Sequence, residues 1–415
     1  MNILILNVHS ALNLGDEGIM HETLRRLAAE YRDATVTIAA NDPDSWRQYG
    51  RAYVVDSMLA WVISQEYDGW SWRKSRALVS LVLLLVAAAA YRVLSLRLLF
   101  GDSRQRDLLN AYYDADLVLS CGGGNFYAHR PMSPSFFWSL LTLAFARFLD
   151  KKVVLLPQSF GPIEGPIQRF LARLTFEGVS SILARERRSQ AFLKELGVRL
   201  PAAVVPDLAF GLASSRVDRS RSRREFHSAL RVGVTVIDRA DQNKGFARQQ
   251  AYEDILTSVL VNLSAERGAH IYFFVQCYGP TRDQDDRLST TRVYERVLRQ
   301  TGQAYLLDSF ESAAEIRQDY GDMDCVIASR MHAGVFALST AVPVVMIAYQ
   351  PKAYGVMEMF GLDHYCCSIE TVRRDQLSKV VCKALDKRQQ LRVQIERHLE
   401  DVRQSLQGWT GHLAQ

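Results

Sequence analysis

No C-x-x-C pair occurs among the six cysteines, which stand at 121, 277, 325, 366, 367 and 382. That spacing excludes the common zinc and thioredoxin-type motifs and predicts reduced thiols in a cytoplasmic protein. No long Lys/Arg run is interleaved with aromatics, and the net charge is only +5, so the footprint of a nucleic-acid binder is missing. A mild basic excess fits anionic ligands or an anionic membrane surface equally well. The longest apolar run, residues 77–91, falls short of the roughly 20 residues a spanning helix needs. The opening Met-Asn-Ile-Leu-Ile-Leu-Asn-Val has no basic residue before its short apolar run, which reads as a first strand and not as a signal peptide. Neither G-x-G-x-x-G nor the P-loop pattern is present. No acidic cluster has the look of a Mg²⁺ site, so neither a metal nor a cofactor is expected.

What is present is a chain of 415 residues, 48% hydrophobic and 23% charged, which predicts a globular protein of two domains. In the first half, apolar runs at Ile3–Val8, Thr35–Ala39, Tyr53–Val55, Asp116–Ser120, Val153–Leu156, Ser181–Ala184 and Ala203–Val205 read as buried strands, with a helical period from Ile19 to Tyr31. At least four of them end in polar or Gly-rich turns, which belong at one edge of a parallel sheet. The first turn contains Asn13, Gly15 and Asp16. Gly15 permits a close approach to a ligand, and Asp16 reads first as a helix N-cap. Others are Cys121-Gly-Gly-Gly-Asn125, Pro157-Gln-Ser-Phe-Gly-Pro162, Arg185-Glu-Arg-Arg-Ser189 and Pro206-Asp207. The three glycines suit either a ligand or a tight crossing of backbone.

Residues 60–106 interrupt this series. Trp61, Trp70 and Trp72 precede Arg73-Lys-Ser-Arg76, the apolar run follows, and Arg92, Arg97, Arg104 and Arg106 come after. An apolar helix with basic flanks and nearby Trp suits a membrane interface. Burial within the protein, or cover by a partner, is the alternative.

The polar, basic stretch 214–224 reads as a linker. Beyond it a second α/β series runs through strands at Arg231–Ile237, His270–Val275, Ala304–Leu307, Cys325–Ala328 and Val344–Ile347, with helices between them, one near Asp286–Gln300. A tail from Asp375 to Gln407 has a helical period. The expected fold class is α/β, with two doubly wound domains facing a cleft. In the second domain the strand Cys325–Ala328 stops at Ser329-Arg-Met-His332, where a helix begins. Such a turn lies at the carboxyl edge, where a helix N-terminus offers N–H groups to an anion. Arg330 adds a planar cationic fork and His332 a proton donor or acceptor near neutral pH. Lys352 follows the next strand. A satisfied structural Arg and His, and an exposed loop Lys, are the bland alternatives.

Taken together, Asn13-Leu-Gly-Asp-Glu-Gly18, Gly122-Gly-Gly-Asn125, Leu156-Pro-Gln-Ser-Phe-Gly-Pro162, Arg185-Glu-Arg-Arg-Ser189, Pro206-Asp-Leu-Ala-Phe210, Ser329-Arg-Met-His-Ala333 and Pro351-Lys-x-x-Gly355 resemble the polysaccharide pyruvyl transferase family. The loops and spacing are similar to the subgroup that modifies exopolysaccharides such as colanic acid. The resemblance covers most of residues 1–365 and implies two Rossmann-like domains of GT-B type. It places an acceptor-side domain at 1–213, the linker at 214–224, a donor-side domain at 225–375 and a helical tail at 376–415.

The implied reaction moves the enolpyruvate-derived group of phosphoenolpyruvate onto a sugar of an exopolysaccharide or lipid-linked precursor, as a ketal, with release of phosphate. His332 is then the general acid/base, and Arg330 and Lys352 hold the donor's charges. Arg185, Arg239, Asn13, Gly15, Asp16, Gly122, Gly123, Gly124, Asn125 and Gln158 are implied substrate contacts. Arg239 stands two residues beyond the position, near Ile237, where the family pattern leads one to expect an Arg. Partners would be phosphoenolpyruvate and the sugar acceptor, with oligomerisation left open. Residues 77–91 would give peripheral contact at the inner face of the cell membrane. A GT-B glycosyltransferase using a nucleotide sugar is the first alternative, though no acid follows His332 until Glu358. A non-catalytic membrane-surface scaffold of polysaccharide assembly is the second.

Overall fold

The structure is a computed structural model that describes residues 1–50, 52–63, 70–128, 133–212, 229–239 and 246–414. The expected linker, 214–224, lies outside the described residues.

Apolar runs without alternation dominate the central strands, because these are covered on both faces, as in parallel sheets flanked by helices. In chain order the first set is β1 (Asn2–Val8), β2 (Thr35–Ala40), β3 (Tyr53–Asp56), β4 (Leu117–Ser120), β5 (Gly123–Ala128), β6 (Lys152–Ile163), β7 (Ser181–Ala184) and β8 (Ala202–Val204). They form a parallel eight-stranded sheet in the order β3-β2-β1-β4-β6-β7-β8, with β5 paired to β6. The second set is β9 (Arg231–Val234), β10 (His270–Phe274), β11 (Ala304–Leu307), β12 (Cys325–Ala328), β13 (Val344–Ala348) and β14 (Cys366–Ser368). They form a parallel six-stranded sheet in the order β11-β10-β9-β12-β13-β14. Each order reverses direction once, between β1 and β4 and between β9 and β12, which is where doubly wound folds bind ligands.

The chain divides into two compact units. One comprises Met1–Ala11, Ile19–Asp207 and Gln407–Gln415; the other comprises Leu12–Gly18 and Leu208–Leu406. The expected boundaries are corrected in two places. The loop Leu12–Gly18, assigned by its position to the N-terminal domain, belongs to the second unit. The tail is divided: the helix Arg374–Asp386 and nearly all of Arg388–Gln407 lie in the second unit, while the last residues join the first.

Other departures have local causes. β6 does not stop at Pro157. Its pairing with β7 shifts register between Leu155 and Gln158, and such an irregularity accommodates a proline that cannot donate to the ladder. The apolar run 77–91 is the middle of a longer helix, Trp70–Leu94. The following helix, Ser103–Asp114, begins at a capping box in which Asp102 accepts from the Gln105 backbone and Gln105 reaches back, satisfying two otherwise orphaned donors. No helix among the described residues is long and apolar enough to cross a membrane.

Candidate active site

The second unit gathers Asn13, Gly15, Asp16, Arg239, Arg330, His332 and Lys352. The carboxyl ends of β9 and β12 define the place. Thr235, just past β9, accepts through Oγ1 from the backbone N–H groups of Ser329 (2.9 Å) and Arg330 (3.3 Å). The Ser329 hydroxyl meets the Tyr252 hydroxyl at 2.7 Å, fully buried. These bonds fix the exit of β12 and hence the start of the helix Met331–Ser339, which carries His332 in its first turn.

The loop Leu12–Gly18 closes over this start. Leu14 N–H donates to the Gln276 carbonyl (3.1 Å) and Tyr278 N–H to the Leu12 carbonyl (2.9 Å), so the loop adds a short antiparallel bridge beyond β10. Glu17, buried, accepts from Ala313 N–H at 2.8 Å and so tethers the loop to the start of the helix Ala313–Tyr320. Gly15 then passes so close to His332 that a Cβ would sit 2.0 Å from its Nδ1 and 2.4 Å from its Cγ. No side chain fits there, which accounts for glycine at this position.

The helix cap expected at Asp16 is supplied by Asn13. Asn13 caps the helix Leu14–Glu30: its Oδ1 accepts from Gly15 N–H (3.1 Å) and its carbonyl from Glu17 N–H (3.0 Å). Asp16 accepts from Asn13 Nδ2 at 3.0 Å. An Asn before the first turn supplies the cap oxygen that an Asp inside the turn cannot.

Arg330 is not an open clamp. Its Nε and Nη2 fork onto Asp286 at 2.9 and 2.5 Å, and both side chains are largely buried. Burial works against the guanidinium charge, yet Asp286 holds the Arg330 pKa above its ordinary value. The expected donor-charge role is therefore already taken by a carboxylate. Asp286 was not among the expected site residues; the Asp285-Asp286 doublet before the helix Arg287–Thr301 was its signal. Its carboxylate turns to Arg330 instead of capping that helix. Neighbouring Cys277 is no nucleophile at neutral pH, because burial pushes its thiol up to about 12.

Arg239 has the opposite surroundings. It is buried at the carboxyl end of the β9 segment and lies over the Tyr349 ring, 5.0 Å from the centroid. Among the described residues no carboxylate comes within ion-pair distance of it, and its Nε lacks a hydrogen-bond partner. Burial lowers its pKa from the ordinary value. Glu370 acts on the charge only from beyond ion-pair distance, and a buried cation so weakly compensated is costly, so the place is suited to an anion. Two helices begin nearby without side-chain caps, Met331–Ser339 and Pro351–Met359. Their N-termini add N–H groups and dipole, and Lys352 stands half-buried in the first turn of the second.

The remaining expected contacts lie in the first unit. Gly122 is required by packing: a Cβ there would come 2.7 Å from the Pro157 carbonyl. Gly123 pairs with Gln158 in the β5–β6 ladder, and Gly124 is exposed. Asn125 Nδ2 donates to the Asn7 carbonyl (3.0 Å). Asn7, buried at the end of β1 with φ of 59°, also bonds Ser120 and Thr142 through its amide. Gln158 is fully buried, and its amide finds no hydrogen-bond partner among the described residues. Arg185 is 1% exposed, bonded to Asp207 (2.7 Å) and Ser159 (2.8 Å), with Glu186 at 3.4 Å. Arg185 thus sits in a buried network with two carboxylates, while its Nη2 has no hydrogen-bond partner among the described residues.

The profile of the polysaccharide pyruvyl transferase family matches residues 13–351 of this chain. The amylovoran biosynthesis protein AmsJ of Erwinia amylovora is 21% identical over 416 residues, covering 97% of this chain and 96% of that protein. Among solved structures, a UDP-GlcNAc 2-epimerase from Neisseria meningitidis bound to UDP-GlcNAc aligns with a TM-score of 0.59 at 9% identity, covering all of both chains. Anabaena Alr3699/HepE in complex with UDP-glucose aligns with a TM-score of 0.56 at 14% identity, covering 100% of this chain and 98% of that one. At such identities the likeness shows the fold alone, which is the two-sheet GT-B type.

Proposed function

Because the chain belongs to the polysaccharide pyruvyl transferase family, we propose that it transfers the enolpyruvate-derived group of phosphoenolpyruvate to an exopolysaccharide sugar or its lipid-linked precursor. The observation that carries the donor assignment is Arg239: a buried guanidinium with no carboxylate within ion-pair distance among the described residues, at the switch point of the second sheet, near two uncapped helix N-termini. Phosphoenolpyruvate brings a carboxylate and a phosphate, and both need N–H and cationic partners. Arg239, Lys352 and the first turns of the two helices would take them. Arg330, held by Asp286, acts on the site through the position it gives the turn at Ser329–His332.

The chemistry requires a proton on the methylene carbon of the donor, which leaves an oxocarbenium-like carbon bearing the carboxylate. A sugar hydroxyl adds to that carbon and loses its proton. Phosphate then departs, and a neighbouring hydroxyl adds and loses its own proton, closing the ketal. Of the two protons released, one balances the methyl group and one leaves with phosphate. His332 is the candidate to carry them, and Gly15 holds its ring by close packing.

Phosphate release from phosphoenolpyruvate, measured with and without a lipid-linked oligosaccharide pool, tests this reading. Acceptor-dependent release is expected from the wild type and not from His332→Ala. Consumption of a nucleotide sugar, with no phosphate release from phosphoenolpyruvate, would replace it with the glycosyltransferase reading. Turnover of neither substrate, with membrane or partner binding intact, would leave the scaffold.

A further inference from the structure

We propose that the outer faces of the helices Trp70–Leu94 and Pro166–Glu177 form one docking surface for an anionic lipid bilayer. Both helices flank the helix Pro134–Phe148 in the first unit and share a single apolar cluster beneath them, which includes Leu84, Ala88, Phe145, Ala172 and Phe176. Trp70–Leu94 buries only a narrow stripe there, with Leu84, Ala87 and Ala88 inward. Its opposite face exposes Leu78 (62%), Val82, Val86 and Val93 (78%) at helical spacing. Between Ala77 and Ala90 the sole polar side chain is Ser80. A helix facing water carries polar residues on that face.

The apolar surface continues through Leu96, Leu98 and Leu99. Across the middle helix, Ile167 (66%), Phe170 (61%) and Leu174 project from Pro166–Glu177 at i, i+3 and i+7, and Phe148 is half exposed between them. Exposed apolar area on this scale marks an interaction site.

Charge selects the occupant. From Trp70 to Arg106 the chain has Arg73, Lys74, Arg76, Arg92, Arg97, Arg104 and Arg106 against one acid, Asp102. Asp102 is engaged in the capping box, and Asp114 already pairs with Arg97. In a symmetric contact with a second copy the same patch meets itself, and although Arg104 pairs with Asp56, the remaining basic excess of this segment would face its own like charge. Anionic headgroups supply the missing negative charge along the whole patch. The apolar stretch from Ala77 to Ala90 is about 21 Å long as a helix, short of the roughly 30 Å hydrocarbon core. It therefore lies along the interface, with the exposed Arg92 at its C-terminal end within reach of headgroups. This deepens the proposed function by bringing the enzyme to lipid-linked acceptors, and it rests on that reading only for the acceptor.

The test needs no substrate, so its outcome is separate from that of pyruvyl transfer. The full-length protein is floated with vesicles of phosphatidylcholine alone, or with about 30% anionic phosphatidylglycerol. Binding to the anionic vesicles is expected, weakened by salt, with little binding to the neutral ones. Val82→Glu/Val86→Glu should lose at least about tenfold in binding, and Ile167→Glu/Phe170→Glu several-fold. Both pairs are exposed and should keep the wild-type unfolding temperature; Val93→Glu, at the most exposed large apolar side chain described in the helix, serves if either pair does not fold. Failure of the wild type to bind anionic vesicles overturns the proposal. Loss confined to the first helix overturns the shared surface. A dimer that Val82→Glu dissociates, in the absence of vesicle binding, assigns the face to a second copy and overturns the lipid.

Discussion

Gly15 and His332 are packed so closely that a single methyl group on Gly15 would overlap the imidazole, 2.0 Å from Nδ1. Helix propensity alone favours alanine over glycine in this first turn by about 1 kcal/mol. Overpacking against the half-buried ring opposes it by about 1–3 kcal/mol and should win. Gly15→Ala is therefore expected to displace His332 and lower turnover by about 100-fold, since misplacements near 1 Å have that cost. Steady-state kinetics on phosphoenolpyruvate beside a thermal melt would show it. Wild-type turnover in this variant would remove His332 from the chemistry or Gly15 from its support.

Asp286→Asn should destabilise the second unit by about 3–5 kcal/mol, because it leaves the Arg330 charge buried without a carboxylate. Replacing both partners with apolar residues, Asp286→Leu with Arg330→Met, should recover most of that stability while activity stays low. Urea unfolding of the three proteins separates the cases. A single variant as stable as the wild type would mean that the pair is better solvated than its burial implies.

Arg239→Met should behave in the opposite way. Among the described residues its guanidinium has no carboxylate within ion-pair distance to leave behind, so stability is expected to hold or rise by about 1 kcal/mol. Donor binding should fall, with KM for phosphoenolpyruvate up about 10- to 100-fold, as expected for a lost charge-assisted contact. Arg239→Lys should recover only part, since a point charge replaces a fork. An unchanged KM in the Met variant would exclude Arg239 from the donor site.

Asp319 gives a pH-dependent signature away from the site. Burial, with Asp322 and Glu315 nearby, raises its pKa to about 6. A carboxyl raised in the folded state is tolerated while protonated and costs stability once charged. The cost is absent below the ordinary carboxylate range and complete above about 6. Asp319→Asn should thus raise stability at pH 7.5 by about 1–2 kcal/mol after allowance for partial solvation, and by nothing near pH 3.5. Melts at the two pH values decide it; an equal gain at both would locate the effect elsewhere.

The two parallel sheets were legible because their strands are uninterrupted apolar runs that end in turns, a pattern that solvent-facing strands do not produce. The turn after β12 was legible for the same reason, together with its Arg330 and His332. What could not be read was which charge meets which. Arg330, Arg239 and Arg185 carry the same side chain, yet one forks onto Asp286, one lies over the Tyr349 ring, and one joins Asp207. Those partners are brought together by the fold, 44, 110 and 22 residues away in sequence. Asp286 was hidden because its spacing before a helix reads as a cap. Gly122 was hidden because a glycine needed for a backbone crossing and one needed for a ligand have the same letter.

The loop Leu12–Gly18 has a consequence for how the chain is made. It leaves the ribosome almost first, but Ala313, which Glu17 binds, is 296 residues further on. At ordinary elongation rates of about 5–20 residues per second that is a wait on the order of tens of seconds. Throughout it, Leu12, Leu14 and the Glu17 carboxylate have no native seat, although the strands on either side of them can already pair. A nascent chain stalled at Asp207 would carry an unsatisfied acid and a bare Leu14, a target for chaperones. A separate polypeptide starting at Leu208 would lack the piece that steadies its own histidine. Cutting the protein at its apparent domain boundary therefore yields two defective halves, and mixing them restores the site only if the first half lends its loop to the second.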